Sequence, residues 1–353
     1  MSHVESDEDT GPLLFCERPD WTDVTPIPQY EGVSNPIAPI FYTPEYKDAT
    51  DYFRGIVKTG ETSERVLELT EEIIKMNPAH YSAWQYRYRT LLALNAPLHS
   101  ELRLMDDFAV NNMKTYQVWH HRRLLITHLT AGSVPAADPF DTAQAELEFI
   151  ARVLDVDTKN YHTWSYRQWL LAHFDDPALW LGELPYVDDL LQEDVRNNSA
   201  WHHRYFVVFG RGSRAQATPA EGAEVSQRET RYVKGKIALA PNNASAWNYL
   251  RGILEFAKTP FSSQAEFAQP YTVRRAPWDD DDVIDLDNPK PSSDADLPSV
   301  SAMDFLAEAY GRDGGESVTK AVDLWKALAN QHDTMRKKYW DFRIKEALEM
   351  KKD

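Results

Sequence analysis

KTYQVWHHRRLL, Lys114–Leu125, places a lysine, a tyrosine, a glutamine, a tryptophan, two histidines and two arginines within ten positions. The same frame returns as HYSAWQYRYRTLL (80–92), NYHTWSYRQWLL (160–171), NNSAWHHRYFVV (197–208) and NASAWNYLRGIL (243–254). The five blocks align on Trp84, Trp119, Trp164, Trp201 and Trp247, separated by 35, 45, 37 and 46 residues. In four of them an arginine follows the tryptophan by three: Arg87, Arg122, Arg167 and Arg204. In the fifth, Leu250 takes that place and Arg251 comes one residue later.

A period near 35 with variable insertions marks an array of helical hairpins. Ahead of each block lies a segment with apolar residues three or four apart: 65–76, 101–112, 144–156, 186–197 and 228–240. Asn77-Pro78 and Pro241-Asn242-Asn243 punctuate the turns between the arms. Each unit therefore reads as helix, short turn, tryptophan helix. One hairpin cannot bury its apolar face alone, and stacked neighbours close the core. The predicted fold is all-α: a right-handed superhelical solenoid of stacked antiparallel hairpins, crescent-shaped.

Residues 1–37 read as an irregular N-terminal segment and 38–353 as a single helical-repeat domain, with a helical-looking stretch within 38–61. AGSVPAADP (131–139) and the Gly/Ala/Pro/Ser-rich run 209–226 read as surface loops that lengthen two intervals. The acidic, proline-bearing run 278–299 reads as a loop whose charge prevents packing. Capping helices are expected over 300–310 and 316–348.

Composition narrows the function classes. The chain has 353 residues, 42% hydrophobic, with 11 Trp and 17 Tyr, enough for a real core. Its single cysteine, Cys16, permits neither an internal disulfide nor a cysteine-rich zinc site. The acidic N-terminus does not resemble a secretory signal, and no run reaches the roughly 18 apolar residues of a membrane helix. A soluble, cytoplasmic protein without stable membrane insertion is expected. The net charge of −17 opposes binding to nucleic acid or an anionic membrane. A phosphate-bearing ligand would need a local basic pocket.

The repeated Trp and Arg read as construction, with the arginine reaching an acid of an adjoining hairpin. The pairs His120-His121 and His202-His203 resemble metal ligands at first sight. Adjacent helix positions diverge by about 100°, so the two rings of a pair do not readily share an ion. Function has room where the repeats differ, at the turn and first turn before each Trp. Five residues before it stand Ala79, Lys114, Lys159, Arg196 and Asn242. Three before it stand Tyr81, Tyr116, Tyr161, Asn198 and Ala244, and two before it Ser82, Gln117, His162, Ser199 and Ser245. Lys114, Lys159 and Arg196, with His162 and the tyrosine hydroxyls, form a candidate diphosphate cluster at helix N-termini.

From about residue 40 to DTMRKKYW (333–340), these blocks resemble the N-Y-x-x-W-x-x-R repeat of the protein prenyltransferase alpha-subunit family, and most closely the alpha subunit shared by protein farnesyltransferase and type I protein geranylgeranyltransferase. The resemblance implies a crescent of hairpins around a beta subunit that binds the catalytic Zn2+. It implies transfer of a farnesyl or geranylgeranyl group from its diphosphate to the cysteine of a C-terminal C-a-a-X motif. No metal or cofactor is assigned to this chain, and Mg2+ accompanying the diphosphate stays open. Implied partners are a farnesyltransferase beta subunit, a geranylgeranyltransferase type I beta subunit, the isoprenoid diphosphate and C-a-a-X proteins. Implied roles are Lys114 and Tyr116 at the leaving diphosphate, Gln117 at the peptide carboxylate, and Asn160, Tyr161 and His162 along the diphosphate region. This chain has Thr115 where the family often has Asn, and the insertion and acidic loop depart from a compact repeat. The alpha subunit of a Rab-type geranylgeranyltransferase and a tetratricopeptide-like scaffold are the alternatives.

Overall fold

The computed structural model describes residues 13–132, 138–210, 219–274 and 285–350. The remainder of the runs 131–139, 209–226 and 278–299, like most of the extreme N-terminus, lies outside the described residues. All regular structure among the described residues is helical. The chain forms two compact units, Met1–Arg167 and Gln168–Asp353.

In the first unit, α1 spans Pro44–Thr59, α2 Glu64–Met76, α3 Tyr81–Ala93, α4 Leu98–Asn111, α5 Tyr116–Thr130, α6 Pro139–Val156, and α7 begins at Tyr161. In the second, α7 ends at Phe174, followed by α8 Pro177–Glu193, α9 Asn198–Phe209, α10 Pro219–Leu239 and α11 Ala244–Ala257. The capping helices α12 Val300–Asp313, α13 Ser317–Ala327 and α14 Lys337–Met350 complete it.

Local chemistry sets the helix starts. Thr43, Asp138 and Asp176 each accept a backbone N–H from the first turn that follows, and a proline occupies the next position in all three. The Asp176-Pro177 start carries α8 well upstream of the expected 186. Pro185 lies inside it, and the carbonyl it leaves without an amide partner belongs to the exposed Leu181, where water can serve it. Helix α10 likewise begins at Pro219, inside the run expected to be loop. The expected helix over 316–348 is interrupted at Leu328–Arg336. There the Asp333 carboxylate accepts from Trp340 Nε1 (3.1 Å) and from Arg336, which turns the chain before α14.

The five hairpins share one turn. Residues 77–80, 112–115, 157–160, 194–197 and 240–243 each join two arms. In each, the last amide donates to the first carbonyl, at 2.9–3.1 Å. The following indole then closes the junction by donating to the carbonyl six residues earlier. Trp84 reaches Pro78, Trp119 Met113, Trp164 Thr158, Trp201 Val195 and Trp247 Pro241, all at 2.8–2.9 Å. A tryptophan is needed because its body fills the core while its one donor satisfies a turn carbonyl.

Buried glutamates link successive hairpins. Glu101 on α4 takes a bidentate fork from Arg87 of the preceding hairpin, both contacts 2.8 Å, and a 2.9 Å contact from His121 of its own. Glu146 takes Arg122 (2.9 Å from Nη2) and the Tyr166 hydroxyl (2.6 Å) in the same way. Glu229 takes Arg204 (2.7 and 3.2 Å) and Tyr249 (2.8 Å). A planar guanidinium and a carboxylate match in two parallel bonds, which suits a buried stacking contact repeated down an array. In the fifth repeat, Leu250 is fully buried and Arg251 turns instead to Asp304 and Glu308 of α12, at 3.0 and 2.8 Å.

The N-terminal segment is less irregular than expected. Single 3-10 turns at Phe15–Glu17 and Pro19–Trp21 bring Phe15 and a fully buried Trp21 onto Tyr52 of α1. The described part of the acidic run, 285–299, is non-helical as expected, yet it packs. Lys234 donates to the Asp287 carbonyl (3.1 Å) and Asn288 (3.0 Å), Arg231 pairs with Asp287 (2.8 Å), and Tyr271 donates to the Pro289 carbonyl (2.6 Å). Basic residues on α10 neutralise the charge that was expected to keep this run apart.

Candidate functional site

The shared turn fixes where the variable residues point. In the turn before α7, Asp157 accepts the Lys159 amide (3.3 Å) through its side chain. Asn160 then caps the helix, its Oδ1 accepting the amides of His162 (3.0 Å) and Thr163 (3.2 Å). Its Nδ2 donates to Asp157 (3.4 Å), and the residue is only 3% exposed. Asn160 thus fixes the start of α7 from beneath, while Tyr161 and His162 stand above it.

His80, Asn160, Asn197 and Asn243 each cap a tryptophan helix by side chain. Thr115, at the same place before α5, makes no such bond. The first-turn amides of α5 and their positive dipole end therefore stay available to an anion. Lys114 projects from this turn, its side chain 78% exposed, with its ammonium 3.8 Å from Asp157. So long and exposed a pair contributes little to stability, and it leaves the cation accessible.

Tyr116 opens α5 and meets His162 edge-on, ring centroids 4.2 Å apart; Tyr161 lies 5.6 Å from the same imidazole. Burial lowers the His162 pKa below its ordinary 6.5, which favours the neutral ring. Lys114, Tyr116, Tyr161 and His162 thus gather between two consecutive turns.

Tyr116 and His120 also line two recesses. One, of about 620 Å³, lies between α3 and α5 and is walled by Tyr81, Gln85, Tyr88, Gln117 and His120. The other, of about 320 Å³, is lined by Tyr116, His120, Arg123, Tyr161, His162 and Ser165. Gln117 accordingly lines a different recess from His162.

Lys159 and Arg196 occupy the equivalent turn position to Lys114, each with its backbone amide on an aspartate, and Arg196 belongs to the other compact unit. His120 was noted in the sequence only as half of a histidine pair, and Arg123 was not singled out. They lie four and seven residues after Tyr116 on one helix face, a spacing that flags them once Tyr116 is suspected. Within each adjacent pair, His121 and His203 turn inward to Glu101 and Glu183, at 2.9 and 2.7 Å, while His120 and His202 face recesses. Neither pair converges on one ion. No helix among the described residues is long and apolar enough to cross a membrane.

Five segments, 63–94, 98–129, 143–174, 180–210 and 226–257, match the family profile described as the protein prenyltransferase alpha subunit repeat. Each covers one hairpin arm with its tryptophan helix. A protein farnesyltransferase/geranylgeranyltransferase type-1 subunit alpha from Dictyostelium discoideum is 39% identical over 96% of this chain and 95% of its own length. A Candida albicans protein geranylgeranyltransferase-I complexed with GGPP superimposes with a TM-score of 0.74 and 30% identity, covering 93% of this chain and 98% of that one. A Bos taurus geranylgeranyl transferase type-2 subunit alpha is 30% identical over 59% of this chain and 37% of its own length.

Proposed function

The chain belongs to the protein prenyltransferase alpha-subunit family, and from that premise we propose that it is the alpha subunit of a heterodimeric cytoplasmic enzyme. The enzyme transfers a farnesyl or geranylgeranyl group from its diphosphate to the cysteine of a C-terminal C-a-a-X motif. The near end-to-end match to a type-1 alpha subunit, against partial cover of the type-2 chain, supports the C-a-a-X class.

The observation that supports the mechanism is Tyr116 packed against His162 beside the uncapped start of α5, with the exposed Lys114 in the turn that precedes it. Breaking the C1–O bond of the isoprenoid leaves negative charge on the departing diphosphate. The Lys114 ammonium and the α5 amides are aimed where that charge grows, so they stabilise the transition state more than the ground state. The Tyr116 hydroxyl and the neutral His162 ring supply hydrogen bonds to the same oxygens. Gln117, in the neighbouring recess, holds the terminal carboxylate of the acceptor peptide and so places its thiol. Asn160 acts through the helix start that carries Tyr161 and His162.

A Zn2+ ion held by the beta subunit would give the acceptor cysteine its thiolate character. The family resemblance gives that ion to the partner, so no zinc ligand is proposed on this chain. The choice between 15- and 20-carbon donors belongs to the partner's pocket.

Co-expression with a farnesyltransferase beta subunit, and separately with a geranylgeranyltransferase type I beta subunit, tests the reading. Label from the matching isoprenoid diphosphate should reach a C-a-a-X peptide only in the presence of both chains. Stable complexes that transfer neither isoprenoid, or transfer by this chain alone, would overturn it.

A further inference from the structure

Between Glu31 and Glu45 the chain runs VSNPIAPIFYTP, 33–44, without one charged residue, in a sequence that is 26% charged. Water should be a poor environment for this stretch, yet its apolar side chains face outward. Ile37 is 104% exposed, Phe41 91% and Ile40 58%. No helix covers them, and the segment is nonetheless fixed. The Ile40 amide donates to the Tyr30 hydroxyl at 2.7 Å, and Gln29 donates to the Tyr42 hydroxyl at 3.2 Å. Pro36, Pro39 and Pro44 restrict its backbone further. The result is a tethered, non-helical strap that presents three large apolar side chains.

The strap leads to the candidate site. Tyr42 packs edge-on against Tyr46 (4.8 Å), and Tyr46 against the His80 ring (6.4 Å). Asn77 of the same turn donates to the Tyr46 hydroxyl at 2.8 Å. His80 caps α3, and its neighbour Tyr81 is on the rim of the recess that holds Gln117. At the same repeat position Tyr81, Tyr116 and Tyr161 are 72%, 66% and 68% exposed. Half-buried ring contacts through Tyr42, Tyr46 and His80 therefore link the strap to the turn edge that carries the exposed Tyr81.

We propose that the strap 33–42 is a docking element for the beta subunit, inserting Ile37, Ile40 and Phe41 into an apolar crevice of that partner. This rests on the functional reading above, in which the chain acts only as one subunit of a heterodimer. Whatever covers the recess rim at Tyr81 is the occupant nearest the strap. Contiguous exposed apolar surface of this kind marks an interaction site, and a restricted segment loses little entropy on binding. Other occupants fit less well. The prolines remove amide donors and so disfavour edge-to-edge pairing of two copies. The lack of any Lys or Arg between 33 and 44 leaves nothing to attract anionic headgroups.

The test uses the full chain with its beta subunit, comparing wild type with Ile37→Ser, Phe41→Ser, the double variant, and Leu181→Ser as an exposed apolar control. The free variants should unfold like wild type, because the replaced side chains are exposed. Affinity for the partner should fall roughly tenfold or more in the double variant, as expected for interface anchors, and stay unchanged in Leu181→Ser. Turnover at saturating partner should match wild type. Amide exchange at Ile37, Ala38, Ile40 and Phe41 should slow on assembly. Unchanged affinity with unchanged exchange in an assembled, active complex would overturn the strap assignment while leaving the functional reading intact. So would a dependence of self-association or vesicle binding, rather than assembly, on these residues. Failure of wild type to assemble with either beta subunit would overturn the functional reading and this assignment together.

Discussion

Tyr116 and His162 come from successive tryptophan helices and meet edge to face, ring centroids 4.2 Å apart at an interplanar angle of 83°. Neither is held by the chain segment of the other, so the stacking of α5 and α7 sets their separation. Tyr116, together with His120, lines both the recess of Gln117 and the recess of His162.

Lys114→Ala in the assembled enzyme should lower single-turnover transfer by about 100-fold, the scale of removing one preorganised charge-stabilising group. Folding stability should change by less than about 0.5 kcal/mol, because the side chain is exposed and its aspartate contact is long. Gln117→Ala should instead raise the peptide KM with isoprenoid binding near normal. Single-turnover rates and peptide titrations separate the two, and equal effects on both substrates would contradict separate roles for the two recesses.

Asn160→Ala should cost about 1 kcal/mol of stability, as loss of an N-cap does. It should also slow transfer, because His162 and Tyr161 ride on the helix start it fixes. Asn160→Ser, which restores a capping oxygen, should recover most of both. Recovery of stability without recovery of rate would instead point to a direct contact between the Asn160 amide and substrate.

Glu229→Ala leaves Arg204 and the Tyr249 hydroxyl without their buried acceptor. The expected loss is about 3 kcal/mol, toward the lower end for a broken buried pair, because Arg204 keeps Asp188 at 2.6 Å. Replacing both members with apolar residues, Glu229→Leu with Arg204→Met, should recover a substantial part of it. Urea denaturation of the single and double variants measures this, and a double variant no better than the single would place the energy in packing.

Stability should also respond to acid through the Glu101–His121 contact. Burial lowers the His121 pKa from 6.5 despite the adjacent carboxylate. Burial alone would raise Glu101, but the hydrogen bonds from His121 and Arg87 outweigh it and hold the carboxyl at about 2. A neutral imidazole donating its Nε2 proton satisfies both. Below pH 6.5 the unfolded chain takes up a proton that the native His121 refuses, so stability falls as pH drops. A second loss begins below the ordinary Glu value of 4.5 as pH falls toward 2. His121→Gln, whose amide can donate without titrating, should flatten part of the first decline and spare the second. A denaturation profile identical to wild type between pH 5 and 7 would refute this role.

Much of the array was legible in the sequence because a tryptophan helix states its own register. The indole closes its turn within six residues, a local geometry that recurs wherever the local sequence does. The same locality set Lys114, Tyr116 and Gln117 apart, since they stand where the repeats stop agreeing. The helix starts at Pro177 and Pro219 were present as Asp-Pro and Pro signals, but Pro185 and a small-residue run obscured them.

What sequence could not supply was contact between hairpins. That Arg122 chooses Glu146, 24 residues on, or that Asp287 neutralises Arg231, 56 residues back, depends on stacking rather than on period. The buried capping role of Asn160, the inward turn of His121 and the joining of Tyr116 to His162 likewise arise only when neighbouring helices exclude water. The sequence by itself determined the repeat, the turn and the residues free to vary. Tertiary structure decided which of those residues face one another, because hydrogen bonds and ring contacts between hairpins depend on distances that the linear spacing does not contain.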